Sequence, residues 1–157
     1  TWVKEKRPTE AVVPKIAASQ FEPRFQADRL EEIDSLKDAV ASGKVKVLDS
    51  RSSDEFTGKE VRSKRGGHIP GATHLEWKEL LSADGRFKAS DQLRDLFRDR
   101  GITPDDSTVC YCQSGGRASV EAFALELAGY PTPKVFVGGW EQWGADTRVQ
   151  VESGGKK

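Results

Sequence analysis

The chain contains no methionine at all, not even at position 1. Such a beginning is expected of a processed chain or of a piece cut from a longer one. Cysteine is nearly as scarce, with two residues, Cys110 and Cys112. Neighbours at i and i+2 of a strand close poorly into a disulfide, so the pair builds no cross-linked framework. Unpaired thiols fit a reducing compartment, and the cytoplasm is the expected one. Net charge is missing too. The 25 Lys and Arg residues balance 25 Asp and Glu residues, which removes the field that would recruit nucleic acid or a membrane surface. No run of about 18 apolar residues exists to form a spanning helix. The opening TWVKEKRPTEAVVP is charged and contains proline, unlike a signal peptide. The two histidines, His68 and His74, lack paired metal-ligand spacing, and tetrahedral zinc needs four ligands, so no metal is expected.

What is present is globular. The 157 residues are 36% hydrophobic and 32% charged, enough for one sizeable core. Residues 28–42 place Leu30, Ile33, Leu36 and Val40 at helical spacing, with Gly43 as a stop. A β-branched strand at 45–48 ends in Asp49, and Ser52 or Ser53 caps a short helix near 53–57. TGKEVRSKRGGHIPGA is a long polar loop. ATHLEW reads as a short strand, WKELLSADG as a helical turn or two. SDQLRDLFRDRG is an amphipathic helix, with Ser90 as cap and Gly101 as stop. STVCYC is a buried strand, 117–127 a helix, PKVFVGGW a strand, and WEQWG a closing turn.

Short apolar strands alternating with helices predict an α/β fold with a mainly parallel sheet and helices on both faces. Ligands of such sheets sit beyond the carboxyl ends of the strands. That edge would gather Asp49 to Arg51, after one strand, and Cys112, after another.

The stretch VCYCQSGGRASVEAFALELAGY carries the chemistry. Cys112 leaves its strand where the chain turns through Gln113, Ser114, Gly115 and Gly116 into a helix beginning near Arg117. Consecutive glycines let successive amides point inward as an anion-binding nest, and a helix start adds more unpaired N–H groups. A thiolate in that cradle is favoured over the thiol, and the thiolate is the nucleophile. Cys110, flanked by apolar residues, reads as a small buried hydrophobe. Trp2 to Arg7 and Trp143 to Arg148 share a spacing of five, a faint internal echo. It suggests that the first residues are the tail of a preceding, similar domain.

CQSGGRAS followed by an apolar helix resembles the active-site loop of the rhodanese (sulfurtransferase) family. VLDSRSSDEFTG resembles its Asp-x-Arg-x-x-x-Glu-Phe segment, RGGHIPGA its Gly-His-Ile-Pro-Gly-Ala turn, and VFVGGWEQW its Gly-Gly-Trp signature. The four motifs occur in order over residues 28–146, most like the C-terminal, cysteine-bearing half of tandem thiosulfate sulfurtransferases. The resemblance implies a rhodanese-like α/β fold with a five-stranded sheet. It divides the chain into a linker from a preceding rhodanese half (1–25), a catalytic domain (26–148) and a polar C-terminal tail (149–157). It also implies a ping-pong reaction through a Cys112 persulfide, from thiosulfate to cyanide or a thiol. No cofactor is implied, and the expected partners are a small sulfur-containing anion, the acceptor and the N-terminal half.

Related phosphatases and arsenate reductases place five residues between Cys and Arg, a ring sized for a tetrahedral oxyanion. Here four separate Cys112 from Arg117, which suits a single sulfur atom better. Thiosulfate-preferring members often carry lysine where Ser114 stands, and mercaptopyruvate-using members carry serine there but glycine at the position of Gln113. Both donors stay open, with thiosulfate favoured. A non-catalytic binding module is the remaining alternative, although such modules usually lack the cysteine. Ser114 is either an anion donor or a turn residue, and Arg117 either enters the loop or pairs on the surface. Asp49 and Arg51 either pair with each other or meet substrate. Arg65 resembles an arginine of the family's anion site, and the rest of KEVRSKR reads as a solvated face. Trp140 and Trp143 are expected in the core and at its rim.

Overall fold

The computed structural model describes residues 2–154. Its strands and helices alternate as β1 (Lys46–Asp49), α2 (Ser53–Thr57), β2 (Thr73–His74), α3 (Ser90–Asp99), β3 (Thr108–Tyr111), α4 (Gly116–Leu127), β4 (Lys134–Phe136) and α5 (Gly139–Ala145). Helix α1 (Ile33–Ala41) precedes them, and a 3-10 turn covers Trp77–Leu80. The strands form one sheet in the order β2-β1-β3-β4, and every pairing is parallel. This is the α/β fold with a parallel sheet that the alternation of strands and helices predicts.

Side chains alternate across each strand, and the alternation sorts the core into two layers. Leu48, Cys110 and Cys112 face a cluster built with Leu93 and Phe97 of α3 and Ala118, Ala122 and Leu125 of α4. Val47, Val109 and Tyr111 face the other way, onto Ile33 and Leu36 of α1 and Trp140 and Trp143 of α5. Covering both faces is what a parallel sheet requires, and it explains why β3 is buried along its whole length.

The expected five strands are four among the described residues. Leu30, placed by its spacing in a helix, is extended instead and makes a single parallel bridge to Val135 at the β4 edge. The would-be fifth strand is thus one residue long, and α1 begins only at Ile33. Ser90 is the first helical residue of α3 rather than its cap. Ala89 takes the capping position, and its amide donates to the Gln92 side chain at 3.2 Å. Ser52 does cap α2, in a reciprocal box with Glu55.

The chain beyond the expected boundary at 148 stays on the domain. Val149 is buried, and Glu152 bridges to His68 in antiparallel register. Residues 155–157 of the expected tail lie outside the described residues. No helix among the described residues is long and apolar enough to cross a membrane.

Candidate active site

Register puts the site together. Asp49 pairs with Tyr111 across β1 and β3, so Ser50 and Cys112 leave the sheet side by side at its carboxyl edge. Cys112 is 2% exposed. Its loop turns sharply at Gly115, whose φ of +89° lies in the left-handed region that glycine tolerates. Among the described residues the amides of Gln113, Ser114, Gly115 and Gly116 donate to no protein acceptor. Four consecutive unpaired donors directly follow the cysteine and are continued by the open first turn of α4, which is the make-up of an anion-binding cradle. The Ser114 side chain is exposed at the rim.

The loop is held from outside by the start of α5. The Trp140 amide donates to the Cys112 carbonyl at 2.7 Å, and the Glu141 amide to the Gln113 carbonyl at 3.1 Å. The Gln113 side-chain amide donates to the Arg62 carbonyl at 2.9 Å.

Arg117 lies at the site, and its guanidinium stands beside the Cys112 side chain. It is aimed by Glu55, which it binds with two hydrogen bonds, Nη1 to Oε2 at 2.6 Å and Nη2 to Oε1 at 2.9 Å. Burial by itself would raise the Glu55 carboxyl, but Arg117 and the Ser52 amide override it and hold the group at about 2. Sequence reasoning assigned Glu55 no role. Its signal was the Ser-x-x-Glu capping pattern of residues 52–55.

Asp49 and Arg51 meet each other. Their ion pair is buried, with Nη2 to Oδ2 at 2.6 Å and side-chain exposures of 1% and 0%. Arg51 also donates to the Gly67 carbonyl at 2.7 Å and stacks its guanidinium 4.6 Å from the Trp140 ring. The Tyr111 hydroxyl donates to Asp49. These groups are enclosed, so they brace the floor of the site and do not reach a substrate.

Arg65 is not at an anion site either. Its guanidinium donates to the carbonyls of Gly144, Val149, Trp143 and Asp146. It thus closes the carboxyl end of α5, where cations are favoured. The neighbouring Arg62 is exposed, with its Nη1 3.5 Å from Glu55 Oε1.

Beneath the loop a buried carboxyl had no counterpart in the sequence reading. Glu121 of α4 is fully enclosed, 2.6 Å from the Ser50 hydroxyl, and its Oε1 has no partner among the described residues. Burial, only partly offset by Ser50, pushes its pKa well above the ordinary value. Burial and the Glu121 carboxyl likewise push the Cys110 thiol well up. Cys110 is fully buried, in keeping with its apolar flanks.

A family model described as a rhodanese-like domain matches residues 32–146. A putative thiosulfate sulfurtransferase of Haloferax volcanii is 36% identical over 98% of this chain and 56% of its own length. A thiosulfate sulfurtransferase of Corynebacterium glutamicum is 32% identical over 98% of this chain and 54% of its own. The chain thus spans little more than half the length of these relatives. Among solved structures, a variant of EanB with ergothioneine covalently linked with a cysteine persulfide superposes with a TM-score of 0.87. It shares 25% identity over 99% of this chain and 40% of the other.

Proposed function

The chain belongs to the rhodanese-like domain family, and from that premise we propose that it is a sulfurtransferase using Cys112 as the sulfur carrier. The observation that carries this reading is the row of unpaired amides directly following Cys112, with Arg117 near enough to interact with its side chain. Amides and guanidinium stabilise a thiolate, and after transfer they stabilise the outer sulfur of a persulfide anion.

In the first half-reaction the Cys112 thiolate attacks the outer sulfur of thiosulfate. A new S–S bond forms, the bond to the sulfonate breaks, and its electron pair leaves on sulfite. In the second half a cyanide ion or thiolate attacks the outer sulfur, and the electron pair of the Cys112–sulfur bond returns to Cys112. Neither half needs a base once the thiolate is formed. The burial of Cys112 at 2% exposure favours a slender donor that presents one atom, and disfavours a bulky phosphomonoester. Relatives nearly twice as long support a second half of the same parent protein that completes the cleft and selects the acceptor.

Initial rates with thiosulfate and cyanide test the reading. Double-reciprocal plots at several cyanide concentrations should be parallel, since each product leaves before the next reactant binds. Intersecting lines, or no thiocyanate, would exclude a sulfur-carrying intermediate.

A further inference from the structure

One buried acid near the active-site loop has no part in the two half-reactions. Glu121 sits on α4, the helix whose open first turn continues the row of unpaired amides, and its side chain is fully enclosed. Its Oε2 lies 2.6 Å from the Ser50 hydroxyl, and its Oε1 has no partner among the described residues. The titratable groups around it are acids or are already taken. From β1 comes Asp49, spent on Arg51 and on the Tyr111 hydroxyl. From β3 comes the Cys110 thiol, itself fully buried, and from the 3-10 turn comes Glu79, paired with Arg100 at 2.8 Å. On α4 itself Arg117 is held by Glu55, and α3 brings Leu93 and Phe97 to this layer. An enclosed carboxylate with no cation and one oxygen without a donor costs far more than the neutral acid. Burial accordingly pushes this carboxyl well above its ordinary value.

The acid is connected to the nucleophile through Ser50. The Ser50 hydroxyl donates to the Tyr111 carbonyl at 3.2 Å and the Ser50 amide to the same oxygen at 3.0 Å. That carbonyl belongs to the peptide whose nitrogen is that of Cys112. With a proton on Glu121, the carboxyl donates to Ser50 and the Ser50 hydrogen goes to Tyr111. Once that proton leaves to water, the Ser50 hydrogen turns to the carboxylate and the Tyr111 carbonyl loses a donor. The charge left behind lies beside the Cys110 thiol. Cys110 and Cys112 face the same layer, one strand repeat or about 7 Å apart. In so dry a place an added anion opposes both a thiolate and an incoming donor anion. We propose that Glu121 is a positioning residue of the sulfur-transfer site: as a neutral acid it fixes, through Ser50, the peptide that enters Cys112, and its ionisation slows sulfur loading. The proposal rests on the sulfurtransferase reading above.

Single-turnover uptake of sulfur from thiosulfate, quenched at intervals and followed by intact mass, tests this from about pH 5 to about pH 10. Thiosulfate keeps one charge state across that range, so the profile reports the protein, and circular dichroism at each pH separates unfolding from slowed loading. In wild type, loading should rise with the Cys112 thiolate and then fall about ten-fold as Glu121 ionises. Glu121→Gln cannot ionise and still has a hydrogen for Ser50. It should keep the acid limb and lose the alkaline fall. Near neutral pH it should also restore most of the roughly ten-fold loss expected of Glu121→Leu, which gives Ser50 nothing. Should Glu121→Leu not fold, the Glu121→Gln profile decides alone. The infrared difference spectrum of wild type minus Glu121→Gln near neutral pH should show the carbonyl stretch of a protonated carboxylic acid. An alkaline fall that persists in Glu121→Gln, a missing acid band, or Glu121→Leu loading at the wild-type rate would overturn the proposal. So would an acid limb moved to lower pH in Glu121→Gln, the mark of a carboxylate already charged while the thiol ionises. If wild type takes up no sulfur at any pH, the sulfurtransferase reading fails and the positioning role with it. Wild-type loading with no alkaline fall sinks the Glu121 assignment alone.

Discussion

Gly139 packs directly on the peptide that follows Cys112. A Cβ at that position would lie 2.5 Å from the Cys112 carbonyl oxygen and 2.5 Å from that of Gln113, and φ is +54°. The glycine lets the start of α5 dock onto the active-site loop and place the Trp140 amide on it. Gly139→Ala should therefore cost about 3 kcal/mol in urea unfolding and lower sulfur loading beyond that loss, because the cradle itself must shift. Gly43 is the control. It has φ of +65° with nothing within 4 Å, so Gly43→Ala should cost only about 1 kcal/mol of backbone strain and leave loading intact.

Glu55 ties stability to pH at the acid end. Its pKa is held at about 2 against an ordinary 4.5. A lowered folded-state pKa contributes stability above the unfolded value and loses it as pH falls toward the folded one. Wild type should therefore weaken between about pH 4.5 and 2. Glu55→Gln should show less of that dependence and be about 3 kcal/mol less stable at pH 7, since it strands Arg117. Urea titrations across this range check both; a variant with an unaltered acid limb would refute the Glu55–Arg117 account.

Glu121 acts in the opposite sense. Its folded pKa is raised, so its contribution is fully present below the ordinary 4.5 and is lost as pH rises toward the folded value. Ser50 has one hydrogen for two acceptors, the Tyr111 carbonyl at 3.2 Å and Glu121 at 2.6 Å. A protonated Glu121 donates to Ser50 and frees that hydrogen for Tyr111. Glu121→Gln keeps such a donor without the cost of protonation. Its stability relative to wild type should rise steadily from about pH 4.5 upward, measured by thermal melts at matched ionic strength. A pH-independent offset would show that Glu121 is not protonated in the fold.

Cys110 should be dispensable for chemistry. It is fully buried beneath the loop with its thiol pushed up. Cys110→Ala should keep the rate of sulfur loading and lose about 1 kcal/mol from the small cavity, whereas loss of loading would make it a participant.

The parts legible in the sequence were the contiguous ones. The strand, the glycine turn and the helix start around Cys112 lie within a few residues, so local chemistry announces them. The Ser52 cap and the β1 strand were readable for the same reason. Long-range pairings were not. Arg65 finds its carbonyls 78 to 84 residues away, and Arg117 finds Glu55 across 62, distances at which no periodicity reports a partner. Thus Arg65 looked like an anion binder although it is spent on the carbonyls at the end of α5, whereas Arg62 is exposed, as a solvated face predicts. Leu30 was misplaced because one residue of strand pairing leaves no alternation to detect.

The central claim is that Cys112 carries the transferred sulfur. Incubating the chain with thiosulfate, removing the excess and weighing the intact protein tests it most directly. Wild type and Cys110→Ala should each gain the mass of one sulfur atom and lose it on adding cyanide, while Cys112→Ala gains nothing. An adduct that persists in Cys112→Ala, or none in wild type, would contradict the account.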